Sequence, residues 1–462
     1  MERTTAKKNK YEIDMCNGTI MDKLISFSLP LMLSGILQLM FNAVDIIVVG
    51  RFSGSQALAA VGSTSALINV FTNLFIGISL GANVLTARFY AAGREKEVSE
   101  TVHTAITLAL VSGIVMALVG LVFSKGALAL MGTPDDVIGL SALYMRIYFL
   151  GMPFFMLYNY GAAILRAVGD TKRPLLFLMI AGVINACLNM VMVIVFKLGV
   201  AGVAIATVIS QMISCVLVLR CLCRSESSYR LRFSELGMKG YYLKQIFSVG
   251  VPAGIQSTVI NFSNVLLQSS VNSFGSTAMA GYTAANNLLG FLYVSVNSIT
   301  QACMSFTSQN YGVGKLKRMD RVLADCMILS VAVAVVLGCI CYGLGPEILQ
   351  IYTEDAEVIA CGMEILAYTT ITYFLCGWMD LFPGALRGMG YSAVPMVLSV
   401  IGTVGTRVVW IFGIFPYHRS LAILFISYPA SWIITIVLQV ICFYFVRRRV
   451  HRRSQALAGQ EA

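Results

Sequence analysis

Apolar stretches of about twenty residues recur along almost the whole chain, broken by short polar turns. We read twelve of them, at residues 24–50, 57–86, 103–124, 141–165, 175–196, 200–222, 245–272, 279–307, 324–344, 364–386, 395–416 and 421–446. Each is long enough to cross a hydrocarbon layer of roughly 30 Å. Lipid cannot satisfy free backbone N–H and C=O groups, so every stretch is predicted to be a helix.

Composition supports this reading. Of 462 residues, 58% are hydrophobic and only 12% are charged, against roughly 25% charged in a soluble domain. No polar block is long enough for a separate globular domain. Twelve cysteines scatter through the apolar spans, among them Cys187, Cys215, Cys303, Cys339, Cys376 and Cys442. The C-x-C pairs Cys221/Cys223 and Cys339/Cys341 have no matching His or Cys cluster nearby. They read as small buried hydrophobes rather than zinc ligands. The start, "MERTTAKKNKYEIDMCNG", is basic and lacks the apolar core of a cleaved signal, so the first span is expected to be retained.

A net charge of +11 could indicate nucleic acid, but the position of the charge points to a membrane. Twelve spans place both termini on one side. The opposite side then holds only Arg51, Lys125, Lys197 and Arg419, and Arg146 and Arg407 fall within spans. The rest of the 33 Lys and Arg lie on the side of the termini. That asymmetry predicts cytoplasmic termini, and "RRRVHRR" at 447–453 reads as an anchor near anionic lipid.

The chain also repeats itself. The most polar interior stretch, 220–244, divides six spans from six. At an offset of 221, "GSQALAAVG" aligns with "GSTAMAGYT", "YAAGR" with "YGVGK", and "LRAVGDTKRP" with "LRGMGYSAVP". Pro30 and Pro252 match after a one-residue slip. Each half has an even number of spans, so the two share one orientation, an arrangement known in secondary transporters. The expected fold is an all-α polytopic membrane protein with 12 transmembrane helices in two pseudo-symmetric six-helix lobes. The expected segments are a cytoplasmic N-terminal segment 1–23, lobe 24–222, linker 223–244, lobe 245–446 and basic tail 447–462.

Three charged residues inside spans carry the functional question. A charge at the centre of a membrane helix costs about 2.5–3.5 kcal/mol on insertion scales and has a partner or a role. Asp45 is the only charged residue from Leu24 to Gly50. It is either an interfacial acid facing Arg51 or a functional carboxylate. Arg407, the only base in the middle of a span, requires an anionic partner. Asp380, one helix earlier, is the first choice and Glu364 the second. Such a pair could be structural or could gate substrate. Asn159 and Gln256 complete the substrate or gating candidates. Spans seven and eight are unusually polar (Gln256, Asn261, Asn264, Gln268, Asn286, Asn287, Asn297, Gln301), as the wall of a hydrated cavity would be.

The stretches "FNAVDIIVVGRFSGSQALAAVG", "ILRAVGDTKRPL", "LGVAGVAIATVIS" and "ALRGMGYSAVP" together resemble the multidrug and toxic compound extrusion (MATE) family, over about residues 20–445. The resemblance implies a two-lobed antiporter that exports amphipathic, often cationic organic compounds in exchange for H⁺ or Na⁺. Its wider superfamily includes flippases for lipid-linked substrates, which is the alternative reading. The resemblance also implies an ion site at Asp45, with partners at Asn185, Asn189 and Thr207. Where the family's pattern has a second acid, this chain has Asn189. One carboxylate among amide and hydroxyl oxygens could take Na⁺ or release a proton. An acid in the seventh span, which some members pair with that of the tenth, is absent here.

Other classes find little support. The histidines His103, His418 and His451 lie near span ends without a catalytic arrangement, and there is no phosphate-binding G-x-x-x-x-G-K-[ST] loop. The expectation is therefore a transporter and not an enzyme. It needs no cofactor beyond the coupling ion and no metal beyond Na⁺ at Asp45. Its partners are small organic molecules and the lipid bilayer, not nucleic acid. It is expected to be a monomer in a bacterial inner (plasma) membrane.

Overall fold

A computed structural model describes residues 10–458; the basic residues Arg3, Lys7 and Lys8 lie outside them. The described chain is built of helices: α1 Met21–Phe52, α2 Ser55–Ala91, α3 Glu95–Leu130, α4 Asp135–Leu150, α5 Met152–Ala167, α6 Lys172–Met190 and α7 Gly199–Cys223. After the linker come α8 Gly240–Asn272, α9 Ser276–Gly312, α10 Leu316–Gly343, the short α11 Gly345–Gln350, α12 Ala356–Thr369 and α13 Tyr373–Gly388. The chain ends with α14 Ala393–Ser399, α15 Thr406–Val409 and α16 Leu421–Ala458.

These helices make twelve segments at the twelve apolar stretches. Eight, counting α6 and the α14–α15 stretch together with their π-helical turns, are continuous helices long and apolar enough to cross a membrane. Two more qualify as bent pairs, α4–α5 turning by 47° and α12–α13 by 50°. The remaining two, α8 and α9, have the length but carry the polar side chains noted above. The break at Gly151 precedes Pro153, whose ring cannot continue a hydrogen-bonded helix. The second break, at Thr370–Thr372, contains no proline or glycine.

Two compact units result. The first contains Leu33–Gly254 with the segment up to Ile13, and the second contains Asp14–Met32 with Ile255 onward. Helices α1 and α8 are thus each divided between units, within a few residues of Pro30 and Pro252. Each unit has its own apolar core. Phe149, Met152, Tyr160 and Leu165 are fully buried in the first; Val271, Leu292, Ile365 and Phe425 are buried in the second. Cys215, Cys303, Cys326, Cys376 and Cys442 are buried. Cys187 and Cys339 instead lie exposed on the flanks of apolar helices.

The sequence repeat is a repeat of backbone geometry. Gly54 and Gly275 have φ of 87° and 99°, Gly93 and Gly314 of 69° and 72°, and Gly169 and Gly390 of 97° and 91°. Positive φ is costly for any residue with a Cβ, so the same three turns are set by the same residue in both halves. The fifth and eleventh spans share another feature. Asn189 is followed by a π-helical stretch, Val191–Val195. Arg407 sits on the single α turn between two more, Val400–Gly405 and Trp410–Ile414.

Within the first unit, α2 and the start of α8 cross at glycines. A Cβ on Gly77 would overlap the backbone of Gly254, one on Gly81 that of Ile246, and one on Gly250 that of Ile78. Glycine four residues apart on both helices lets their backbones touch, which is how membrane helices gain packing energy where lipid gives no hydrophobic drive. In the same unit the Glu12 carboxylate accepts hydrogen bonds from the Tyr90 and Tyr229 hydroxyls, both at 2.7 Å. Buried Asp170 pairs with Arg173. In the second unit, Asn310 and Lys315 donate to the carbonyls of Met15 and Cys16, at 3.1 and 2.9 Å.

Candidate functional site

In the first unit, α1 carries Asp45 to a group of amides and hydroxyls on α6 and α7. The amide of Asn189 donates both to the Asp45 carboxylate and to Asn185 Oδ1, the latter at 3.1 Å. Asn185 donates onward to the Ser210 hydroxyl at 3.5 Å. The Thr207 hydroxyl also lies within hydrogen-bonding reach of Asp45 and meets the Val203 carbonyl at 3.0 Å. When its proton goes to Val203, its lone pairs are left for a cation beside the carboxylate. All four expected residues are therefore adjacent. Arg51 is exposed and, among the described residues, makes no ion pair with Asp45.

Asn189 is fully buried, and its Oδ1 is a buried acceptor without a hydrogen-bond partner among the described residues. Buried acceptors are nearly always satisfied. Turning this amide over would replace its N–H groups, now facing Asp45, by an oxygen. The site can thus present either donors to a bare carboxylate or an extra oxygen ligand to a bound cation. Two tyrosines that the sequence reading passed over, Tyr144 and Tyr148 on α4, stack with ring centroids 6.1 Å apart and are close enough to feel the charge of Asp45. Their i, i+4 spacing on an apolar helix was the available signal. Asn159, half-buried on α5, spends one amide hydrogen on the Phe155 carbonyl of its own helix, at 2.8 Å.

The second unit departs from expectation. Arg407 is buried, 3% exposed, yet among the described residues it makes no ion pair with Asp380 or Glu364. Its Nη1 donates to Ser263 Oγ at 2.8 Å and to Asn264 Oδ1 at 2.7 Å, both on α8. Its guanidinium lies over the Tyr428 ring, 4.7 Å from the centroid. The Tyr428 hydroxyl in turn meets that of Tyr282 at 3.0 Å. Neutral dipoles and an aromatic face replace the anionic partner. The cation acting on Asp380 is Arg387, two turns on in α13. Arg387 is buried and donates to Gln256 Oε1 at 2.7 Å. Gln256 therefore belongs with Arg387, and the proposed Asp380–Arg407 pair is not formed.

Comparison with known proteins places this arrangement. The MatE family model matches the chain twice, over residues 30–191 and 252–412, which are the two repeated halves. The chain is 31% identical over 434 residues, 92% of its length and 93% of the relative's, to "Probable multidrug resistance protein YoeA" of Bacillus subtilis. It is 22% identical over 382 residues, 82% of its length and 84% of the relative's, to "Multidrug export protein MepA" of Staphylococcus aureus. Among solved structures, the fold matches an outward-facing conformation of a multidrug resistance MATE family transporter of the MOP superfamily. That match has a TM-score of 0.87 and 19% identity, covering 97% of this chain and 99% of that one. This chain is accordingly a multi-pass membrane protein of the MATE transporter family, folded as two six-helix lobes.

Proposed function

We propose that the protein is a secondary active antiporter that exports amphipathic organic compounds from a bacterial cell in exchange for H⁺ or Na⁺, by alternating access. It does so in the plasma membrane with both termini cytoplasmic, as a monomer, and without a resident cofactor or nucleic acid. The observation that carries this reading is the cluster of Asp45, Asn185, Asn189 and Thr207. It is a single intramembrane carboxylate surrounded by groups that can donate to it when it is bare or coordinate a cation with it. Names of relatives support export of drugs as the cargo class.

The local chemistry suggests the coupling step. Ion arrival at Asp45 neutralises the one charge of α1 between Leu24 and Gly50, and the amide of Asn189 turns to offer oxygen in place of N–H. Both changes reset the contacts of α1 with α6 and α7, the helices whose positions differ between access states in this reading. A two-state element of this kind is biased only by a ligand with different affinity for its two states, and the charge on Asp45 supplies that difference.

The test uses the purified protein in liposomes preloaded with a fluorescent amphipathic cation, with Na⁺ and pH gradients imposed separately. Transport driven by at least one of them is expected. Equal dye flux with and without either gradient contradicts antiport.

A further inference from the structure

We propose that the second lobe holds an oxyanion site centred on Arg407, which takes the carboxylate of an amphipathic substrate. The proposal rests on the transporter reading above and adds to its cargo molecules that carry an acidic group, zwitterions included.

In each lobe polar side chains join the first and fifth spans, and the charge found there has opposite sign in the two lobes. In the first, Asp45 on α1 meets Asn189 on α6. In the second, Ser263 and Asn264 on α8 meet Arg407 on α15. At the repeat offset of 221, Asp45 corresponds to Leu266 and Arg407 to Ala186. The acid of one lobe has no acid opposite it in the repeat, and the base of the other has no base. A site built for a cation in the first lobe has become, in the second, a site that already contains one.

The guanidinium keeps unused capacity. It has five N–H donors in a fork that fits a carboxylate with two parallel bonds. Two interactions of Nη1 are with neutral oxygens, and Nε is buried with no acceptor among the described residues. No carboxylate lies within ion-pair distance of it among them. Tyr428 and Tyr282 supply aromatic surface beside it. A fixed cation in such surroundings attracts an anion carried on an apolar body.

A polar track leads to it. Ser257, Asn261, Asn264 and Gln268 follow at i, i+4, i+7 and i+11 on α8, and so lie on one helix face. Ser257, Asn261 and Gln268 are exposed, and Asn264 is half-buried. Asn264, the inner member, is also the residue that accepts from Arg407. A polar stripe along a membrane-spanning helix indicates a hydrated face, and this one connects that face to the buried guanidinium.

The test is equilibrium binding to the full-length protein in detergent, so that no ion gradient enters. Three environment-sensitive naphthalene sulfonamides are compared: one ending in a carboxylate, its methyl amide, and one ending in a primary amine. Wild-type protein is expected to bind the carboxylate at least tenfold more tightly than the amide. Arg407→Gln is expected to erase that preference while leaving the affinity for the amide within about twofold. Arg407→Lys should restore part of it. The comparison of carboxylate with amide on wild-type protein stands even if the variants do not fold. Equal affinity for the two, or a preference that survives Arg407→Gln, overturns the proposal. Displacement of the carboxylate probe by a short-chain anionic phospholipid at lower concentration than by the unlabelled carboxylate also overturns it, in favour of a lipid site. Binding without gradient-driven efflux would overturn the antiport reading and leave this one standing.

Discussion

At the scale of residues, two of the intramembrane charges, Asp45 and Arg407, illustrate which side-chain chemistry is legible in a sequence. Asp45 stood out because it is alone in an apolar run, and its partners Asn185, Asn189 and Thr207 were reachable through the family's spacing. The structure brings all of them together. Arg407 stood out equally, but its partner was sought among acids. It is held by Ser263, Asn264 and the face of Tyr428, neutral groups that leave no trace in a charge pattern. The same reasoning missed Tyr144 and Tyr148, which read as ordinary lining. Asn189→Ala removes the amide that donates to Asp45. A hydrogen bond to a charged group contributes about 1.5–3 kcal/mol. That bond holds the bare carboxylate, so without it the half-saturating H⁺ concentration is expected to fall by roughly tenfold or more, measured by dye efflux against pH. An unchanged value would mean that Asn189 only packs.

At the scale of elements, the spans were legible because each needs some twenty apolar residues, and that requirement writes itself into composition. The bends were less so. Gly151 with Pro153 is a visible interruption of the fourth span, whereas the bend at Thr370–Thr372 lacks any helix breaker. Three threonine hydroxyls there, of Thr369, Thr370 and Thr372, donate back to the carbonyls of Ile365, Leu366 and Tyr368, competition with the backbone that bends helices. The glycine crossing of α2 with α8 was also hidden, since Gly77, Gly81, Gly250 and Gly254 are spaced as thousands of glycines are and acquire meaning only when they face one another. Gly81→Leu forces a side chain into the backbone of Ile246. Overpacking costs about 1–3 kcal/mol, so a lowered unfolding temperature is expected in a thermal fluorescence assay. Gly126→Leu, which meets nothing within 4 Å, should be nearly silent. Equal shifts in both would show that the crossing has no special tightness.

At the scale of the whole molecule, the internal repeat was the most informative part of the sequence. It announced two lobes, and three pairs of positive-φ glycines show that the repetition extends to backbone turns. What it could not show was the division of α1 and α8 near their prolines, because each reads as one span with the proline inside it. The proposed topology rests on the distribution of Lys and Arg and can be checked directly. In a cysteine-free background, Arg419→Cys should react with an impermeant maleimide on intact cells, and Ser454→Cys only after permeabilisation. The reverse pattern would invert the topology.

The central claim is that Asp45 couples ion entry to substrate exit. The most direct measurement is gradient-driven efflux in liposomes by Asp45→Asn beside wild type, with substrate binding measured on the same preparations. The account predicts that Asp45→Asn, which keeps the size and loses the charge, still binds substrate but loses at least nine-tenths of its gradient-driven efflux. Efflux at the wild-type rate from correctly inserted Asp45→Asn protein would contradict it.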